Sequence, residues 1–241
     1  MKRNKKSKWL ITAMIISLYM LTGCGKSEQQ SEQQNATDIV TFQMVPSSNG
    51  VEDYIEQVFG DDYDEETAGR YYNVVPEDIS NDYGISIFKS DLIGYGALIY
   101  DSEIYQIGGW GGDGVTSFAI ADLNEDGEFE LYFTYTCGSG MIRSEVGYFD
   151  TATKEIVTFD YSSIYSDYDT EITEEMRVKP FSIWFANILL EVDTNNVLCV
   201  YDVDPESYNW KSYVDIEMSA GEKLASIVAD NGEISLAIES D

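Results

Sequence analysis

The sequence predicts a mainly β fold, with antiparallel meander or sandwich-like or partial propeller-like sheets and one amino-terminal helix. Three observations carry this prediction. From Gly84 onward, short runs rich in Ile, Val, Phe and Tyr follow one another at close spacing, as the strands of a meander do. Turn-forming residues separate them, and Asp101-Ser102 and Asp230-Asn231-Gly232 are the clearest hairpin signals. A convincing helical stripe occurs once, at Val51, Tyr54, Ile55, Val58 and Phe59.

The chain opens on a targeting segment. Lys2, Arg3, Lys5, Lys6 and Lys8 make a basic start, residues 9–21 an apolar run, and Leu21-Thr22-Gly23-Cys24 closes it. The apolar run is short for a membrane span, and small residues before a cleavage point are what a secretory signal requires. Leu21-Thr22-Gly23-Cys24 also resembles the lipobox of bacterial lipoproteins. The resemblance implies a signal peptide over residues 1–23, lipidation of Cys24, and a membrane partner reached through the lipid anchor on the extracytoplasmic face of the cell membrane. Residues 24–37 contain Gln, Ser and Glu but no aromatic or branched apolar side chain, so a disordered tether is expected there. Residues 38–241 then have the length of one domain with a sizeable core.

Five of the 14 basic residues precede Cys24, which leaves nine against 44 acidic residues and a net charge of −35 from Cys24 onward. Such a surface repels phosphate backbones, which argues against nucleic acid as a partner.

Within the domain the helix is predicted over residues 51–59, capped by Asn49 with Glu52 three residues on and stopped by Gly60. Strands are predicted over residues 85–88, 95–100, 103–107, 117–121, 129–136, 145–149 and 155–159. The apolar stretch 181–192 reads as a buried strand, and residues 197–203, 214–218, 225–229 and 233–238 complete the series. Residues 161–178 give no decisive pattern beyond a helical turn over 173–177. Cys137 and Cys199 make a pair eligible for a disulfide in an oxidising compartment, although a buried structural thiol suits Cys199 equally well.

The strongest chemistry lies in Asp122-Leu123-Asn124-Glu125-Asp126-Gly127-Glu128-Phe129-Glu130. Oxygen-bearing side chains stand at the first, third, fifth and ninth positions and a glycine at the sixth. Hard divalent cations such as calcium take six to eight oxygen ligands, and a tightly coiled loop delivers them from alternate residues around a sharp glycine bend. Strands are predicted on both sides of the loop, and Leu131, Phe133 and Tyr135 alternate with Glu130, Tyr132 and Thr134. One buried face is therefore expected on the following strand, with Glu130 pointing away from it. An EF-hand needs flanking helices and a bidentate acid at its twelfth position, where this chain has Phe133. The segment resembles the calcium loop of the FG-GAP and VCBS repeat families, in which an Asp-x-Asn/Asp-x-Asp-Gly-x-x-Asp/Glu-Leu pattern joins neighbouring strands. The resemblance implies side-chain ligands from Asp122, Asn124, Asp126 and Glu130 and a main-chain oxygen from Glu128. One copy is present, and propellers of those families use several.

Two glycine-rich segments, Gly108-Gly109-Trp110-Gly111-Gly112-Asp113-Gly114 and Cys137-Gly138-Ser139-Gly140-Met141-Ile142-Arg143-Ser144, are expected at the other end of the same hairpin. Trp110 offers a stacking face and Arg143 a cation, which makes them candidates for ligand binding, while glycine turns with an inward-packed Trp110 are the competing reading. The chain has no His, which removes Ser-His-acid and Cys-His nucleophile systems and His-ligated zinc. These features point to a calcium-stabilised surface binding module for a glycan or protein ligand. The alternatives are a carboxylate-dependent glycoside hydrolase, a carbohydrate-binding accessory protein, or an inert component of an envelope assembly.

Overall fold

The computed structural model describes residues 38–60, 66, 69–109, 111–138, 143–159 and 188–238. The chain order among them is β1 (Val40–Phe42), α1 (Val51–Phe59), β2 (Tyr71–Asn73), α2 (Glu77–Tyr83), β3 (Ile85–Ser90), β4 (Ile93–Tyr100), β5 (Glu103–Ile107), β6 (Gly114–Ala121), β7 (Glu130–Cys137), β8 (Arg143–Asp150) and β9 (Glu155–Thr158). Then come β10 (Ile188–Val192), β11 (Leu198–Val203), β12 (Asn209–Ser212), β13 (Asp215–Glu217), β14 (Ala220–Asp230) and β15 (Glu233–Ile238). The mainly β, antiparallel expectation holds, and no closed barrel forms among these residues.

Three sheets stack on one another. The first is the meander β2-β3-β4-β5, the second has the order β1-β6-β7-β8-β9, and the third the order β10-β11-β14-β15, with β12-β13 as a separate hairpin. Because successive residues of a strand point to opposite faces, β6 and β7 serve two cores at once. Phe118, Ile120, Leu131 and Phe133 face Ile85, Ile87, Leu98 and Ile107 of the first sheet. Ala119, Ala121 and Tyr132 face Ile188, Leu190, Leu198, Val200, Ala225 and Ile227 of the third. All eight residues of β6 are buried. The alternation in β7 suggested one covered face, but the third sheet covers the other, so Glu130 does not point away into solvent: it is 1 % exposed.

The remaining face of the first sheet is closed by α1. Val51, Tyr54 and Ile55 pack against Phe88 and Ala97, and the Tyr54 and Phe88 rings stack at 4.5 Å. Its predicted span holds from Val51 to the Gly60 stop, but its cap differs. Gly50, at φ 72°, occupies the N-cap position and no side chain caps the helix, so Asn49 does not serve. The second helix, α2, was not expected. It follows Pro76, carries Glu77 and Asp78 in its first turn and stops at Gly84 with φ 66°, all ordinary boundary signals. Both hairpin predictions hold: Tyr100 pairs with Glu103 across Asp101-Ser102, and Asp230 with Glu233 across Asn231-Gly232. All four turn residues have positive φ, as the type I′ turn requires.

Cys24 with the rest of residues 1–37, Trp110, residues 161–178 and the start of the expected strand 181–192 lie outside the described residues, as does the Arg143 side chain. No helix among the described residues is long and apolar enough to cross a membrane. No disulfide joins Cys137, at the end of β7, to Cys199, which is buried in β11.

Candidate metal centre

The β6-β7 hairpin pairs in unbroken register from Ser117 and Thr134 to Ala121 and Glu130, and its eight-residue connection, residues 122–129, is held by its own side chains. Asp122 Oδ1 accepts the Asp126 N–H at 3.1 Å and Oδ2 the Gly127 N–H at 3.0 Å. Asn124 Oδ1 accepts the Asp126 N–H at 3.0 Å, and Asp126 Oδ1 the Glu128 N–H at 2.9 Å. These bonds coil the chain so that alternate side chains converge, and Glu125 and Gly127 at φ 60° and 93° supply the bends. Phe129 fastens one end of the loop to the first core, where it meets Tyr83 and Tyr100 edge-on at 5.3 and 5.9 Å. Leu123 fastens the other end to the second core.

The outcome is a cluster of acids. Oxygens of Asp122, Asp126 and Glu130 lie within 4.8 Å of one another, with Asp122 half-buried, Asp126 exposed and Glu130 buried. Glu130 Oε2 accepts the Leu123 N–H at 3.0 Å and the Tyr132 hydroxyl at 2.9 Å, whereas Oε1 accepts no hydrogen bond from a described residue. No basic side chain among the described residues pairs with any of the three acids. Burial drives the Glu130 carboxyl up to about 7, the two donors pull against that, and the charges of Asp122 and Asp126 push it further up. Gathering like charges around a desolvated carboxylate is unfavourable unless something positive joins them. The donor set is all oxygen, which suits a hard cation, so the residues fit the calcium expectation. Asn124 belongs to the same ring of side chains. Glu128 is exposed on the loop, with its N–H given to Asp126.

Sequence reasoning missed Tyr132 as a partner of Glu130. The period-2 alternation of a strand already places residues 130 and 132 on one face, so the signal was present.

At the opposite end of the hairpin the two glycine-rich segments do meet, as expected. Gly111 bridges to Gly138, and a Cβ on Gly111 would fall 2.1 Å from the Gly138 carbonyl oxygen. On Gly114 it would fall 1.4 Å from the Gly94 carbonyl oxygen. These glycines serve close approach of backbone to backbone, which favours their conformational reading.

Two further features were not anticipated. Lys89 of β3 is wholly buried, its ammonium donating to the main-chain oxygens of Val115 and, at 3.5 Å, Asp113. Burial lowers it to about 7 against the opposing pull of the Asp113 charge. A cavity of about 290 Å³ lies among Thr41–Met44, β6, β10, Ile216 and Met218, and Glu191 is the one carboxylate on its wall among the described residues.

No protein-family model matches this chain, and no curated protein or solved structure is significantly similar to it.

Proposed function

We propose that this protein is a lipid-anchored, extracytoplasmic β domain whose β6-β7 loop binds one calcium ion, and that it acts as a surface binding module for a glycan or protein ligand. The observation that carries the calcium reading is the convergence of Asp122, Asp126 and the buried Glu130 without a basic partner among the described residues. Bound there, the ion supplies positive charge to three carboxylates and to the oxygens of Asn124 and Glu128. It thereby clamps the connection between two strands that serve both cores. The loop is a structural clamp in this reading, and ligand recognition lies elsewhere.

A binding role is favoured over glycoside hydrolysis by the distribution of carboxyls. Cleavage of a glycosidic bond takes two acids facing each other across a substrate cleft, about 5–9.5 Å apart. The cavity wall contributes only Glu191 among the described residues, and the raised carboxyl, Glu130, is held inside the loop. Lipid anchoring rests on the Leu21-Thr22-Gly23-Cys24 resemblance.

Calcium that binds only the folded chain must raise the melting temperature, by roughly 5–10 °C at a hundredfold excess over its dissociation constant. An unchanged melting temperature at millimolar calcium defeats the calcium reading. Labelling cells with a fatty acid should mark the wild-type chain and leave Cys24→Ala unmarked. A screen of the protein against envelope and host glycans should identify a ligand, and binding of none of them would turn the search to proteins.

A further inference from the structure

Tyr132 is wholly buried, yet it carries a hydroxyl into the second core, among apolar side chains such as Ile188, Leu190 and Leu198. A buried hydroxyl costs free energy unless it has a partner, and the partner here is the Glu130 carboxylate. The hydrogen bond falls on Oε2, which also takes the Leu123 N–H, so both protein donors hold one oxygen. The other oxygen, Oε1, accepts no hydrogen bond from a described residue, and one oxygen of Glu130 lies within 4.8 Å of oxygens of Asp122 and Asp126. The arrangement resembles a metal ligand oriented by an outer partner, which fixes the ligand's rotation and raises its hold on the ion.

We propose that Tyr132 is a positioning residue for the cation of the β6-β7 loop, locking Glu130 so that Oε1 faces the ion and tying ion occupancy to the core between the second and third sheets. This inference rests on the calcium reading above. An ion that holds Glu130 through one oxygen also fixes where the other stands, so the Tyr132 phenol keeps its acceptor in one place. The Tyr132 ring then anchors more firmly among Ile188, Leu190 and Leu198. Strands β10 and β11 are thereby sensitive to an ion held at the start of β7, through one side chain.

The test compares the full chain in detergent with Tyr132→Phe, which keeps the ring and loses the hydroxyl, and with Tyr148→Phe. Tyr148 packs on Tyr132 at 5.5 Å and makes no hydrogen bond to Glu130. Calcium affinity is read by calorimetric titration, and protection of β10 and β11 amides by hydrogen exchange with and without calcium. Tyr132→Phe should weaken calcium binding about 10- to 100-fold. It should also abolish the calcium-dependent protection of β10 and β11, while its metal-free melting temperature stays close to that of the wild type. Tyr148→Phe should leave the affinity unchanged. Equal affinities for wild type and Tyr132→Phe overturn the positioning role and leave the calcium site standing. Equal weakening by both variants assigns the effect to loss of any phenol hydroxyl in this core rather than to the bond with Glu130, and overturns the role as well. Absence of calcium binding by the wild type overturns the calcium reading itself.

Discussion

Two strand connections in this protein begin with the same device and end differently. At the turn between β10 and β11, Asp193 Oδ1 accepts the N–H groups of Asn195 and Val197 at 2.8 and 3.1 Å, much as Asp122 gathers those of Asp126 and Gly127. There the resemblance stops. The second oxygen of Asp193 faces Lys223 at 3.4 Å, so the chain supplies its own cation. Main-chain donation from Val197 and Asn195, with a smaller contribution from Lys223, holds the Asp193 carboxyl below its usual range. In the β6-β7 loop two further acids stand where a lysine would, and Glu130 is driven upward instead. An acidic turn is thus not a metal site by itself. What distinguishes the two is whether the charge left over after coiling the loop is already matched.

The comparison can be broken in several ways, the first having the largest effect. Asp122→Ala should abolish the calcium-dependent rise in melting temperature, whereas Asp193→Ala should leave that rise intact; loss of the rise in both variants would erase the distinction. Next in size is the response to pH without calcium. Glu130 is raised from 4.5 to about 7, so between those values the folded chain holds a proton that the unfolded chain has lost, and stability falls as pH rises through that window. Lys89 is lowered from 10.5 to about 7, so the unfolded chain holds the extra proton between those values, and stability rises as pH climbs through them. The metal-free protein should therefore show a dip in melting temperature near pH 7. Calcium should fill the acidic flank of the dip, and Glu130→Gln should flatten that flank while ending the calcium response. A profile with its maximum at pH 7 in the presence of a chelator would refute the burial of both groups. The smallest effect belongs to Lys223→Met. The pair is partly exposed, at 27 % and 15 %, and such pairs contribute little, so a slight fall in melting temperature with an unaltered calcium response is expected.

Much of this architecture was legible from local signals. Helix α1 carries its stripe and its Gly60 stop within one segment, and both type I′ turns depend on residues at the turn itself. The convergence of Asp122, Asp126 and Glu130 was legible for the same reason, because their spacing is a property of nine consecutive residues. What escaped were features decided at a distance. Strands β1 and β2 have three residues each and exist through pairing with β6 and β3, which no short window reveals. The burial of Glu130 depends on the third sheet, whose strands begin far along the chain, so the alternation in β7 could not report that both of its faces are covered. Lys89 alternates into a sheet position that two carbonyls from another strand's approach then satisfy. The cap of α1 was misassigned because Asn49 is a good capping residue in type, while the left-handed turn at Gly50 sets the actual entry of the chain.

The central claim is that the β6-β7 loop is completed by a cation from solution and the β10-β11 turn by Lys223. Calorimetric titration of calcium into the chain tests it most directly. One ion should bind per chain, with binding lost in Asp122→Ala/Asp126→Ala and kept in Asp193→Ala. A titration with no saturable heat, or one that the double substitution leaves unchanged, would contradict it.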